Sequence, residues 1–256
     1  MRPAPALFIQ PHYDDVALSC GGTAARFASL GLQPRIVTVF ASEVLDAMVG
    51  PFAEWKHERW GLEDAEAVAA ARREEDACAS AVLGCDVRWL GLPDAIYRGD
   101  RYASDADLYG GLHAEELAFA EHLCEELMHL PEWRPGNQVF VPLAVGAHVD
   151  HQIAFETGRV LARRGVEVWA YEDLPYAIHT PQGVARRLEQ VGDAVEPAIA
   201  APVAESMDTK LESVACYASQ LPVIFRFRPD FRAALADHAS AVGAGEPAER
   251  MWRVRG

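Results

Sequence analysis

A histidine and two aspartates fall within four residues at His12-Tyr13-Asp14-Asp15, and a second cluster of the same chemistry, His148-Val149-Asp150-His151, follows far downstream. Imidazoles and carboxylates are ligands for a divalent transition ion and are also the acid–base groups of hydrolysis. On a tight turn, side chains three apart such as His12 and Asp15 can point at a common centre, while Asp14 between them stays free to handle a proton. His151 completes a His/Asp/His set that leaves one position open for water, as catalytic zinc sites require. Water on such an ion loses a proton near neutral pH and becomes a nucleophile. An Asp-Asp pair after a strand also arises as a helix cap, and Asp15 or Ser19 could cap a helix carrying Cys20-Gly21-Gly22. Two matched clusters would need two such accidents.

The elements that must carry these clusters are legible as alternating patterns. Short β-branched or aromatic runs predict strands over Ala6 to Gln10, Arg35 to Phe40, Val87 to Leu90, Gln138 to Pro142 and Val166 to Tyr171. Helical periodicity covers Gly21 to Leu30, Leu62 to Leu83, Ala114 to Leu130 and His151 to Arg163. Strands apolar on both faces and separated by helices predict an α/β fold, a Rossmann-like three-layer sandwich with a mostly parallel sheet. Both clusters follow strands, and ligands in such sheets bind outside the carboxyl ends of the strands. After Tyr171 the rhythm changes. Arg186 to Ile199 alternates as antiparallel strands do, and Met207 to Gln220 and Pro229 to Ala241 read as helices. The expectation is one domain over 1–256, a core over 1–175 with an accessory strand and helix extension over 176–256.

Composition narrows the function. The chain has 256 residues, half of them hydrophobic, enough for one large core. Asp and Glu outnumber Lys and Arg 38 to 23, for a net charge of −15, which opposes binding to nucleic acid or to an anionic membrane surface. Five scattered cysteines without a CxxC pair suggest neither a disulfide framework nor a thiolate zinc site. The chain opens Met1-Arg2-Pro3-Ala4-Pro5 without an apolar leader, and a cytoplasmic protein that acts on a small molecule, with homo-oligomers open, is expected.

Pro11-His12-x-Asp14-Asp15 followed by Gly21-Gly22, with the later His148-x-Asp150-His151, resembles the PIG-L or LmbE-like deacetylases. These are zinc enzymes that remove acetyl groups from N-acetylglucosamine-type conjugates. Arg72-Arg73-Glu74-Glu75, Leu92-Pro93-Asp94 and Tyr217-Ala218-Ser219-Gln220 extend the likeness over most of the chain. The resemblance implies that His12, Asp15 and His151 bind zinc, that Asp14 is the general base and that His148 steadies the oxyanion. An amide hydrolysis needs a water-activating base and a second group able to donate a proton, which agrees with that allotment. Asp150 is read as the partner that orients His148. The donor set also accepts Fe2+ or Co2+. Tyr13 stands where the commonest family form has Pro, Val16 where many members have Glu, and Gly146 where some carry a mobile Tyr.

Substrate contacts are expected from Arg72, Asp94, Tyr97, Arg98 and Trp55. Arg72 and Glu75 could equally form an i,i+3 pair, and Asp94 a turn. The segment Ala41 to Gly61, with Trp55, His57 and Trp60, reads as a binding loop whose aromatic rings suit stacking on a pyranose. Gly21-Gly22 lacks the rest of a dinucleotide fingerprint and fits close approach of a helix to the sheet. A metal-dependent esterase or phosphoester hydrolase, and a non-catalytic sugar-binding protein with a vestigial site, are the competing readings.

Overall fold

Ala6–Gln10 forms β1, and all five of its residues are buried, as an apolar run flanked by helices on both sides must be. In the computed structural model, which describes residues 5–43, 49–60, 65–180 and 182–256, α1 (Asp15–Ser29) follows, then β2 (Arg35–Thr38), α2 (Pro51–Trp60), α3 (Ala65–Leu83) and β3 (Asp86–Trp89). Next come α4 (Asp105–Leu108), α5 (Ala114–Met128), β4 (Gln138–Pro142), α6 (Val149–Arg163) and β5 (Glu167–Tyr171). The remainder is α7 (Tyr176–His179), α8 (Gly183–Val191), β6 (Ile199–Pro202), α9 (Met207–Ala215), α10 (Leu221–Ile224), α11 (Phe231–Val242) and β7 (Ala248–Arg253). Residues 1–4 of the N-terminal stretch, the expected helix start at Leu62, Gly61 and the Trp60 side chain lie outside what is described.

The sheet order is β3-β2-β1-β4-β5-β7-β6. Pairing is parallel from β3 through β5 and antiparallel for β7 and β6. The chain winds outward from β1 in one direction to β3, then crosses back so that β4 lies on the other side of β1. That reversal opens a crevice at the carboxyl ends of β1 and β4, where open α/β sheets bind ligands. Phe8 and Phe140, register partners across these two strands, stack at 4.4 Å and pack against Phe27 of α1, which ties the two strands together in the core.

The last third of the chain departs from the sequence reading. Over the stretch expected as antiparallel strands, residues 183–191 are helical, and the extended backbone is confined to Val195, which bridges Val254 antiparallel, and to Ile199–Pro202. Val184, Leu188 and Val191 recur at helical spacing and contribute to the core, which decides for the helix. β7 was not anticipated because charged residues interrupt it. Its Glu249 is nevertheless buried, because it accepts from the backbone N–H groups of Gly22 and Thr23, from the Thr23 hydroxyl and from Lys210 Nζ. A Cβ on Gly22 would stand 2.8 Å from Cβ of Val203 and 3.1 Å from Oε1 of Glu249, so the glycine permits this close approach. The cysteines also differ from expectation. Cys78 of α3 and Cys216 after α9 form a disulfide across a separation of 138 residues, while Cys20, Cys85 and Cys124 are free and buried. Packing of α3 against α9 brings them together, which no local spacing could signal. No helix among the described residues is long and apolar enough to cross a membrane.

Candidate metal centre

The loop after β1 delivers His12 and Asp14 to the crevice with Asp15 at the start of α1, and after β4 His148 caps α6, whose first turn carries Asp150 and His151. Gln10, at the end of β1, sets the first loop: its Oε1 accepts from the Val16 N–H at 3.0 Å, while its Nε2 donates to Asp76 at 2.9 Å. Asp14 takes the left-handed backbone conformation, φ 92°, immediately before α1. Such strain in a non-glycine residue persists where surrounding contacts enforce it. Here Asp15 Oδ2 accepts from the His12 N–H at 2.8 Å and closes the turn, so Asp15 does not serve as the cap of α1. Ser19 is not a cap either, since its hydroxyl accepts from the Leu174 N–H.

Two carboxylates fix the imidazoles. Asp150 Oδ2 lies 3.0 Å from Nε2 of His12, and Asp173 Oδ1 lies 2.6 Å from Nδ1 of His151. A carboxylate accepts only, so each contact holds a proton on that ring nitrogen and leaves the opposite nitrogen as a lone pair. Those opposite nitrogens face Asp15: His12 Nδ1 is 3.7 Å from Oδ2 and His151 Nε2 is 3.5 Å from Oδ1. Ligand atoms of His12, Asp15 and His151 all fall within 4.8 Å of one another. A nitrogen–oxygen–nitrogen set of this kind, oriented from behind, fits one divalent ion. His12, Asp94, His148 and Asp150 form a second close group. Within it the Arg98 guanidinium lies 2.7 Å from Asp150 Oδ1, an ion pair that already supplies the positive charge.

Electrostatics differ sharply within the site. Burial, then repulsion from Asp15, pushes the Asp14 carboxyl well above the usual range, against the pull of Arg72 and His12. Burial works against the charge on His12, but Asp94, Asp150 and Asp15 hold its pKa up to about 9. His148 moves the other way: burial and the neighbouring His12 drive it well below the ordinary histidine value. Burial works against the Asp150 charge, yet Arg98 and His12 hold that carboxylate well below its ordinary range.

The placement of Asp150 corrects the sequence reading. Its carboxylate meets His12 and the Ala95 N–H, and only its backbone N–H meets His148, donating to Nδ1 at 3.2 Å. His148 caps α6 through that contact. Among the expected substrate contacts, Arg72, Asp94 and Tyr97 line the cavity above the site. Arg72 sits 3.8 Å from Asp14 and over the Tyr13 ring, while Asp94 lies 3.3 Å from His12 Nε2. Tyr97 meets His57 through its hydroxyl at 2.7 Å. Arg98 does not line the cavity; it is drawn beneath it by Asp150 and Glu116 and stacks over Phe40 and Tyr102. Trp55 does not line it either. Pro51–Trp60 is a helix rather than a loop, which pairs Trp55 with Phe52 one turn earlier and turns Lys56 and His57 to the cavity; residues 44–48 lie outside the description.

Sequence reasoning missed Asp173, Tyr109 and Tyr176. Tyr109 meets His148 edge-on at 5.4 Å, and Tyr176 meets His151 edge-on at 5.6 Å. The one available signal was Gly146. With φ 93°, and with a Cβ there falling 2.5 Å from the Tyr176 ring, this glycine leaves room for an aromatic from another element.

Residues 7–162 match the family model PIG-L, described as GlcNAc-PI de-N-acetylase. A 2'-N-acetylparomamine deacetylase of Niallia circulans is 32% identical over 185 residues, which span 66% of this chain and 66% of that protein. Among solved structures, a deacetylase of the teicoplanin biosynthesis pathway aligns with a TM-score of 0.81 at 26% identity over 98% of this chain and 97% of its own. The deacetylase of the A40926 pseudoaglycone aligns with a TM-score of 0.79 at 28% identity over 99% and 98%.

Proposed function

The chain belongs to the PIG-L family, and on that premise we propose that it is a zinc-dependent hydrolase removing the N-acetyl group from an N-acetylglucosamine-type conjugate. The observation that carries this reading is the convergence of His12 Nδ1, His151 Nε2 and Asp15 beside Asp14 at the β1–β4 crevice. In this reading the whole of 1–256 is one domain of this family.

His12, Asp15 and His151 would hold the ion, which when bound supplies Lewis acidity and lowers the pKa of water. Asp14 takes a proton from the attacking water and returns it to the departing amine. Its raised proton affinity suits a group that must do both near neutral pH. His148 is held neutral with its Nδ1 occupied by the Asp150 N–H, so its Nε2 carries the proton. That N–H is a donor for the oxygen that gains charge as the carbonyl is attacked. Arg72, beside Asp14, steadies the carboxylate and meets sugar hydroxyls.

Acetate release from an N-acetylglucosamine conjugate is the test. It should require zinc, stop on chelation and disappear in Asp14→Asn with the metal still bound. Phosphate or ester cleavage without acetate release would overturn the proposal.

A further inference from the structure

The cavity above the metal centre measures about 920 Å3, toward the upper end of the ~300–1,000 Å3 usual for small-molecule sites. It accommodates more than one sugar ring. Its outer wall comes from the segment after α9, where Pro222, Val223, Ile224, Arg226 and Phe227 face it. This wall is built rather than loose. Phe225 is buried between His179 and Phe231, and the Ser219 N–H and hydroxyl donate to Glu75 of α3 at 2.8 and 2.7 Å. Phe227 is nevertheless 71% exposed, the most exposed of the large apolar side chains described. It stands edge-on to His179 at 6.0 Å with Arg226 over its face.

Charge separates the ligands this wall could take. The chain is strongly acidic overall, but the carboxylates lining the cavity already have partners. Asp105 pairs with Lys56, Asp94 faces His12, Asp14 faces Arg72, and Asp15 belongs to the metal set. Arg226 stands over the Phe227 ring, Arg228 pairs with Asp237 at 3.3 Å, and burial together with these two arginines keeps the His179 pKa low. A polycation would meet like charge and no available carboxylate at this end, which costs affinity. A flat apolar group would meet an exposed phenyl ring and aliphatic side chains that are otherwise open to water.

We propose that the Pro222–Phe227 wall is a subsite for an aromatic aglycone, so that the substrate is an N-acetylated amino sugar carrying an aromatic group rather than a polycationic one. The inference rests on the deacetylase reading for the position of the sugar, and Phe227 is its specificity-determining residue.

Binding tests it independently of turnover. Calorimetry on zinc-loaded Asp14→Asn protein compares p-nitrophenyl N-acetyl-β-glucosaminide, free N-acetylglucosamine and 2'-N-acetylparomamine. The aryl glycoside should bind about tenfold more tightly than the free sugar, the size of one well-packed aromatic contact. The paromamine derivative should gain nothing over the free sugar. Adding Phe227→Ala should abolish the aryl advantage, and Phe227→Tyr should preserve it. Equal binding of aryl and free sugar, tighter binding of the paromamine derivative, or an aryl advantage unchanged by Phe227→Ala would each overturn the inference. Acetate release by the unsubstituted enzyme distinguishes the two failures. No acetate from any of the three, with the aryl advantage intact, sinks the deacetylase reading and supports the subsite; acetate from all three without that advantage does the reverse.

Discussion

The Asp150 carboxylate stands 3.0 Å from Nε2 of His12, on the ring edge opposite the nitrogen that faces Asp15. One contact from α6 therefore sets both the tautomer and the tilt of an imidazole that arrives from the loop after β1, and links the two halves of the site before any ion binds.

Asp150→Asn is expected to weaken zinc binding about 10- to 100-fold, as loss of an orienting carboxylate does. The amide keeps the volume but can present its NH2 to His12 and leaves Arg98 with Glu116 alone as its counter-charge. Competition titration against a chelator of known affinity measures this. Wild-type affinity in the variant would show that His12 is oriented by something else.

His148→Ala should retain the metal and lose about 10²- to 10³-fold in kcat, the usual effect of removing one donor to a developing oxyanion. KM should move little, because the interaction strengthens only in the transition state. A variant with raised KM and unchanged kcat would place His148 in ground-state binding instead.

The metal-free protein should show a particular dependence of stability on pH. His12 has a folded pKa of about 9, above its ordinary value of 6.5. Its protonated form therefore contributes stability fully below pH 6.5, and that contribution disappears as pH rises through about 9. Asp14, also raised, acts in the same direction. The melting temperature of chelator-treated protein should fall across this window, zinc should flatten the fall, and zinc loading at pH 7 should release protons. A flat melting profile in the metal-free protein would contradict the assignment.

Denatured, unreduced protein should titrate three thiols, rising to all five cysteines after reduction, because Cys78 and Cys216 are joined. Replacing that pair with serines should cost about 2–4 kcal/mol, mostly through the unfolded chain, since the bridge closes a long loop. Five thiols before reduction would refute the bridge.

The core strands were readable because β1 and β4 are apolar on both faces, and their boundaries match the expected Ala6 to Gln10 and Gln138 to Pro142. The two clusters were readable because their residues sit side by side in the chain. Other parts were written across distance. Asp173 is a lone acid until the fold sets it behind His151, and Asp76 gains meaning only where Gln10, Thr38, Trp89 and Tyr217 all donate to it. Arg98 was misread for the same reason. An arginine on a rim loop resembles a ligand contact until a buried carboxylate is found beneath it.

Glu249 has a practical consequence for anyone dividing this protein. The segment that carries every residue of the metal set ends long before residue 249, and trimming to it is tempting. Such a fragment would leave the N–H groups of Gly22 and Thr23 without their acceptor, expose the flank of β5 that β7 covers, and remove the Tyr217 hydroxyl from Asp76. The shortened polypeptide would keep the chemistry's side chains and lose the scaffold that aims them.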